Sequence, residues 1–188
     1  MIFRAVEDPD LIRKARRGDV EAYNLLISRW EKRVYNYLLR IVGDREDALD
    51  LSQDVFLKAY QNLRKLDDPA RFAPWLFRIA HNEAFSSFRK KRPEGETTVP
   101  QSDFAGDDIP ANVSPAFPIE LSIAVTTALG KLHADQREAV ILKIYQGFKF
   151  EEMAEILSCP VSTVKSRLYT ALDVLKTQLA PAKSRGVT

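Results

Sequence analysis

The stretch from Gln146 to Leu175, QGFKFEEMAEILSCPVSTVKSRLYTALDVL, constrains the fold most, because its apolar spacing reads as two helices around a tight turn. Met153, Ala154, Ile156 and Leu157 give the first helix an apolar side, and Val164, Leu168, Ala171, Leu172 and Leu175 give the second another. Between them Ser158-Cys159-Pro160 is turn chemistry, since proline suits the first turn of a helix, where its missing N–H would have no partner anyway. This is the helix-turn-helix arrangement, whose second helix can lie in the major groove of DNA. With Val164, Leu168, Ala171 and Leu175 turned inward, Ser162, Lys165, Ser166, Tyr169 and Thr170 share the opposite face and offer donors, acceptors and an aromatic edge. Arg167 falls on the flank, where a long cation reaches phosphate. A surface hairpin with solvated polar residues fits the same spacing.

The formal net charge of +2 hides an uneven distribution. Residues 1–92 carry 19 Lys/Arg against 14 Asp/Glu, residues 93–117 carry none against 5, and residues 118–188 carry 9 against 7. Two basic segments flank an acidic connector. Pro93, Pro100, Pro110 and Pro115 interrupt that connector, which lacks helical period and reads as a flexible linker. Fully extended it spans at most roughly 85 Å, more than the roughly 70 Å of two duplex turns, so flanking domains can hold separated DNA elements. Apolar content of 45% in 188 residues suffices for two small helical cores.

One cysteine and two distant histidines leave no zinc cluster or disulfide framework, which suits a reducing cytoplasm. No signal sequence opens the chain and no apolar run approaches a membrane span. The expectation is a cytoplasmic, non-enzymatic protein with no membrane insertion, metal, cofactor or small-molecule substrate.

The first half reads as four helices. A short one over Leu11 to Arg17 and a longer one beginning near Asp19 are separated by Gly18. In the longer helix Ala22, Leu25, Leu26, Trp30, Val34, Tyr37 and Leu38 form the inward stripe, while Arg29, Lys32, Arg33 and Arg40 face solvent. From about Glu46 to Leu63 a third helix turns Ala48, Leu51, Val55 and Ala59 inward. Asp47, Asp50 and Asp54 recur on its far side with Gln53 beside them and Phe56 near the edge. Carboxylates spaced along one helix cannot close round an ion, so this stripe is either solvated or a docking face for a basic partner. The fourth helix, Phe72 to Arg92, packs Leu76, Ile79, Ala80, Ala84 and Phe88 inward and aligns Arg78, Asn82, Phe85 and Arg89 on another side. Cations beside an aromatic and an amide suit single-stranded nucleic acid, with Phe72 and Trp75 as further stacking candidates or as core. Arg89, Lys90, Lys91 and Arg92 are adjacent cations that repel unless a polyanion is near. Ile119 to Leu132 and Asp135 to Tyr145 give two more helices, the second with Val140, Ile141 and Ile144 inward.

Four segments together resemble the extracytoplasmic-function sigma factors of the sigma-70 family, the compact bacterial transcription-initiation factors. They are DLIRKARRGDVEAYNLLISRW, DALDLSQDVFLKAY, FAPWLFRIAHNEA with its basic tail, and GFKFEEMAEILSCPVSTVKSRL. The resemblance implies an all-α fold of two small domains, a region 2 domain over 1–92 and a region 4 domain with the helix-turn-helix over 118–188, joined by linker 93–117. It implies core RNA polymerase, through the clamp helices of its largest subunit, as the partner of Asp50, Gln53, Asp54 and Phe56. It implies a melted −10 element for the helix from Trp75 to Arg92, with Asn82 at a base-contacting position, and a duplex −35 element for Lys165, Ser166, Tyr169 and Thr170. Promoter DNA and an anti-sigma factor are the further partners implied.

Two positions depart from the family pattern. Lys149 stands where a Ser or Thr commonly caps the first helix of the helix-turn-helix, a loss worth about 0.5–2 kcal/mol. Thr170 stands where a basic residue is frequent, so the family's usual −35 preference does not carry over to this chain by resemblance. Two other readings remain open: a stand-alone helix-turn-helix regulator, and a nucleic-acid enzyme using Asp47, Asp50 and Asp54.

Overall fold

The computed structural model describes residues 7–91 and 119–179, and among them every regular element is helical. The expected linker, Arg92 and the side chains of Lys90 and Lys91 lie outside the described residues.

Helix α1 (Asp8–Arg16) and helix α2 (Val20–Val42) are separated by Gly18, whose φ of 95° disfavours any side chain. Asp19 caps α2 by accepting the Ala22 N–H at 3.0 Å. Asp44 does the same for α3 (Arg45–Asn62), accepting the Asp47 N–H at 2.8 Å. Two 3-10 turns, Leu63–Lys65 and Pro69–Arg71, lead into α4 (Phe72–Lys91). Helix α2 packs against α1, α3 and α4, and Leu26, Val34, Leu38, Val55 and Leu76 lie in the resulting core. Each such side chain contributes about 1.5–3 kcal/mol by leaving water.

The inward stripe of α2 differs from expectation at Leu25, which is 51% exposed while Tyr23 is buried. Leu25 sits roughly 140° round the helix from the centre of the buried stripe, out of reach of the core. Arg33 and Arg40 are not simple solvated cations either. Both are half-buried near the edge of that stripe, and burial lowers the pKa of each guanidinium. Phe72 is buried against Trp30 and Trp75, so it belongs to the core and not to a stacking surface.

The second bundle comprises α5 (Ile119–Gly130), α6 (Ala134–Val140), a π-helical turn (Ile141–Tyr145), α7 (Phe150–Ile156) and α8 (Val161–Leu179). Helix α8 packs on α5, α6 and α7. Arg137 is buried in this bundle. Its Nε donates to Leu129 O at 3.0 Å, and one terminal nitrogen donates to Gly130 O at 3.0 Å and Leu132 O at 3.2 Å. Leu129 O also accepts the Leu132 N–H at 3.1 Å, while the Gly130 and Leu132 carbonyls, at and beyond the end of α5, would otherwise need other partners. Ile144, expected inward, is 62% exposed. The cause is the π turn: Gln146 N–H bonds to Ile141 O, five residues back, and the wider turn carries Ile144 outward while Leu142 is buried.

The missing cap at Lys149 is partly made good. The Glu152 carboxylate accepts the Lys149 backbone N–H at 2.7 Å, the return half of a capping box. Ser158 turns the chain with φ at 50°, and Pro160 O accepts the N–H groups of Thr163 and Val164 to start α8. Cys159 is half-buried in this turn, and burial raises its thiol pKa.

The two bundles touch along α4 and α7, with α2 meeting α6 and the π turn. Phe77 packs edge-on to Phe148 at 5.0 Å and to Tyr37 at 5.2 Å. Arg33 donates to the side-chain and main-chain oxygens of Gln146 at 3.2 and 3.1 Å, with its guanidinium 4.6 Å above Trp30. Arg40 lies 4.4 Å over the Tyr145 ring, and Arg71 pairs with Glu155. The carboxylate of Glu138 accepts the Tyr37 hydroxyl and lies 2.8 Å from His81 Nδ1.

Candidate nucleic-acid and polymerase interfaces

On α8 the inward and outward sets separate as the spacing predicts, except that Leu172, counted with the apolar side, is exposed. Val164, Leu168, Ala171 and Leu175 are buried, and Ser162, Lys165, Ser166, Tyr169 and Thr170 are all exposed on the other side. Lys165 lies back along the surface, its Nζ 5.3 Å from the Phe150 ring centre, where the ring's negative face attracts the cation. Arg167 differs from the free flanking cation expected. It is half-buried, pairs with Asp135 at 2.7 Å and comes within 3.9 Å of the Cys159 sulfur, so it also fastens the turn to α6.

On α4, Arg78, Asn82 and Arg89 are exposed along one side. Phe85 is only half-exposed, because it tilts against His81 at 4.6 Å and meets Phe88 edge-on at 5.8 Å. Arg89 donates to the Ser86 hydroxyl at 3.1 Å. Trp75 is half-buried beside Phe72, with ring centres 5.9 Å apart. The side thus presents two cations, an amide and an aromatic edge at one-turn intervals.

On α3, Asp50, Gln53 and Asp54 are exposed together. Phe56 is instead buried at 8% exposure, and its carbonyl accepts the Tyr23 hydroxyl. Phe56 forms part of a feature that the sequence reading missed, a groove of about 890 Å³ between α2 and α3. Val20, Ile27, Leu49, Leu57 and Tyr60 line it, and Gln53 of the acidic stripe lines it too. Val20, Leu49, Leu57 and Tyr60 are large apolar side chains left in water. Leu49 and Leu57 stand eight residues apart, two helical turns, off the core stripe. That repeat was the available signal. Tyr23, buried beside the groove and 4.8 Å from the Tyr60 ring, has its phenol pKa pushed up by burial.

Among the described residues no group of His, Cys, Asp and Glu is arranged to hold a metal ion, and no helix is long and apolar enough to cross a membrane.

Two family models match the chain: Sigma-70 region 2 over residues 26–94 and Sigma-70, region 4 over residues 122–175. The RNA polymerase sigma-H factor of Pseudomonas aeruginosa is 30% identical over 93% of this chain and 95% of its own. The ECF RNA polymerase sigma-E factor of Haemophilus influenzae is 31% identical over 93% and 96%. Among solved structures, CnrH in complex with the cytosolic domain of CnrY superposes with a TM-score of 0.67 at 25% identity, covering 92% of this chain and 96% of that one. The sigma factor RpoE of Bartonella quintana, in complex with the anti-sigma factor NepR, gives 0.67 at 28% identity over 84% and 96%. With both regions matched in order and relatives aligned nearly end to end, the chain belongs to the extracytoplasmic-function sigma factors of the sigma-70 family.

Proposed function

We propose that three faces of this sigma factor divide the work of initiation. A sigma factor binds core RNA polymerase and directs it to promoters, so the chain needs a protein-docking face and two DNA-reading faces. The groove between α2 and α3, with Asp50, Gln53 and Asp54 beside it, suits a helical partner with apolar ridges and basic flanks, the clamp helices of the largest polymerase subunit. Arg78, Asn82, Phe85 and Arg89, continued by Lys90, Lys91 and Arg92, hold the melted −10 strand. Ser162, Lys165, Ser166, Tyr169 and Thr170 read the −35 duplex in the major groove, with Arg167 beside them. Residues 1–92 and 118–188 act as the two domains and 93–117 as their tether.

The observation that carries this reading is the division of α8 between a side where Val164, Leu168, Ala171 and Leu175 are buried and an opposite side where Ser162, Lys165, Ser166, Tyr169 and Thr170 are exposed, in a chain with both sigma regions. The chain supplies no bond-making chemistry and acts in the cytoplasm, where the polymerase is. The relative solved with the anti-sigma factor NepR supports a similar inhibitory partner here.

Reconstituted holoenzyme tests the division of labour. Lys165→Ala should weaken −35 duplex recognition by about 1–3 kcal/mol if Lys165 contacts a guanine edge. Asn82→Ala should spare −35 fragments and impair open-complex formation, and a template already melted across −10 should not fully restore it. An Asn82→Ala holoenzyme equal to wild type on duplex and pre-melted promoters would remove Asn82 from the −10 face.

A further inference from the structure

Phe150 opens α7, and its half-buried ring carries two ammonium groups. Lys143 Nζ, from the π turn, lies 4.7 Å from the ring centre, and Lys165 Nζ, from α8, lies 5.3 Å from it. Lys143 is half-buried and tied down, since its Nζ donates to Phe148 O at 3.0 Å. Lys165 is exposed, and the ring is what holds its free end. Among the described residues neither lysine belongs to an ion pair. On α7 the Glu152 carboxylate is turned to the Lys149 N–H instead. The two ammonium groups therefore sit within about 10 Å of one another, the screening length at about 0.1 M salt, and repel. An anion brought to the ring relieves that repulsion with a full charge, whereas a guanine edge offers only neutral acceptors.

We propose that Phe150 is a positioning residue that decides what Lys165 touches on DNA. Its ring draws the ammonium back to the first helix of the helix-turn-helix, so that Lys165 binds backbone phosphate while base choice falls to Ser166, Tyr169 and Thr170. In a docked helix-turn-helix the first helix crosses the backbone and the start of the second meets base edges. Lys165 is the fifth residue of α8 and so stands where either contact can be made. To reach a base its ammonium must leave the ring, which at an exposed site disfavours that posture by about two- to fivefold. Lys143 adds weight to the phosphate side, because it fixes a second positive charge at the same ring. Held this way, Lys165 tightens −35 binding without choosing sequence. The inference deepens, and rests on, the proposed −35 role of α8.

Reconstituted holoenzyme, binding duplex fragments randomised over the −35 element across a series of salt concentrations, tests the assignment. Lys165→Ala should weaken every fragment by a similar factor, keep the ranking of bases and lower the salt slope by about one. Pentafluorophenylalanine at position 150 keeps the shape of the ring and reverses the charge of its face, so it should release Lys165. A new base preference of about fivefold or more should then emerge at one position and vanish when Lys165→Ala is added, with helical circular dichroism and core-polymerase affinity unchanged. Phe150→Tyr, which keeps a negative face, should rank bases as wild type does. A loss confined to one base pair in Lys165→Ala would overturn the inference, and so would a fluorinated chain that ranks bases as wild type does. Tyr169→Ala separates this outcome from failure of the parent reading, since it should reorder the base ranking. If Tyr169→Ala and Lys165→Ala both leave −35 binding untouched, it is the −35 role of α8 that falls, and the positioning role falls with it.

Discussion

Asp54 is exposed on α3 beside Gln53, which lines the apolar groove, so charge there is presented to whatever occupies the groove. Asp54→Arg should abolish capture of core RNA polymerase while leaving thermal unfolding within about 0.5 kcal/mol of wild type, since a solvated side chain contributes little to the fold. A folded Asp54→Arg chain retained by polymerase at wild-type level would reject this docking face. At this scale the sequence was informative where a residue's neighbours lie within one or two helical turns. Ser162, Lys165 and Tyr169 could be placed because α8 buries its other side locally. Arg33, Glu138 and Arg167 could not, because Gln146, Tyr37 and Asp135 reach them from distant segments and no periodicity records that.

Helix positions followed from apolar spacing and caps, and Asp19 and Gly18 mark the start of α2 where the sequence places it. At Ile144 the helical period misleads. A π turn carries no composition signal, so a residue counted on a 3.6-residue period lands on the wrong side. Lys149 fails in the other direction, since the Glu152 return bond supplies part of what its own side chain cannot. The turn between α7 and α8 offers an element-scale test. Ser158 holds φ at 50°, which costs a side-chain-bearing residue about 1–2 kcal/mol, while glycine there carries about 0.5–1 kcal/mol of extra backbone entropy. Ser158→Gly should therefore stabilise the second bundle by about 0.5–1 kcal/mol, read from denaturant melts. A destabilised variant would mean the Ser158 side chain contributes more than its backbone costs.

Across the whole molecule, Tyr23 within the first bundle and Tyr37 between the bundles both have phenol pKa values raised by burial, Tyr37 further by the charge of Glu138. The unfolded chain releases these protons near pH 10 and the folded chain holds them to higher pH, so their contribution is complete below about pH 10 and is lost as pH rises through the folded values. Stability should fall steeply above about pH 10, and Tyr37→Phe should flatten that fall. An equally steep alkaline limb in Tyr37→Phe would exclude this phenol as a cause.

The bonds from Arg137 to the carbonyls of Leu129, Gly130 and Leu132 have a mechanical consequence. A load applied through residues 93–117 enters the second bundle at α5, and the end of that helix is fastened to α6 through one side chain. Arg137 is thus a buckle at the far end of the strap, setting the force at which peeling passes from α5 into α6 once α5 has left α8. Arg137→Met keeps much of the volume and loses the fastening. In an optical trap, with handles on the two bundles, it should leave the first rupture, of α5 from α8, unchanged and lower the second, at which the load reaches α6, so that a promoter-bound chain under tension would lengthen by one helix and then give way sooner.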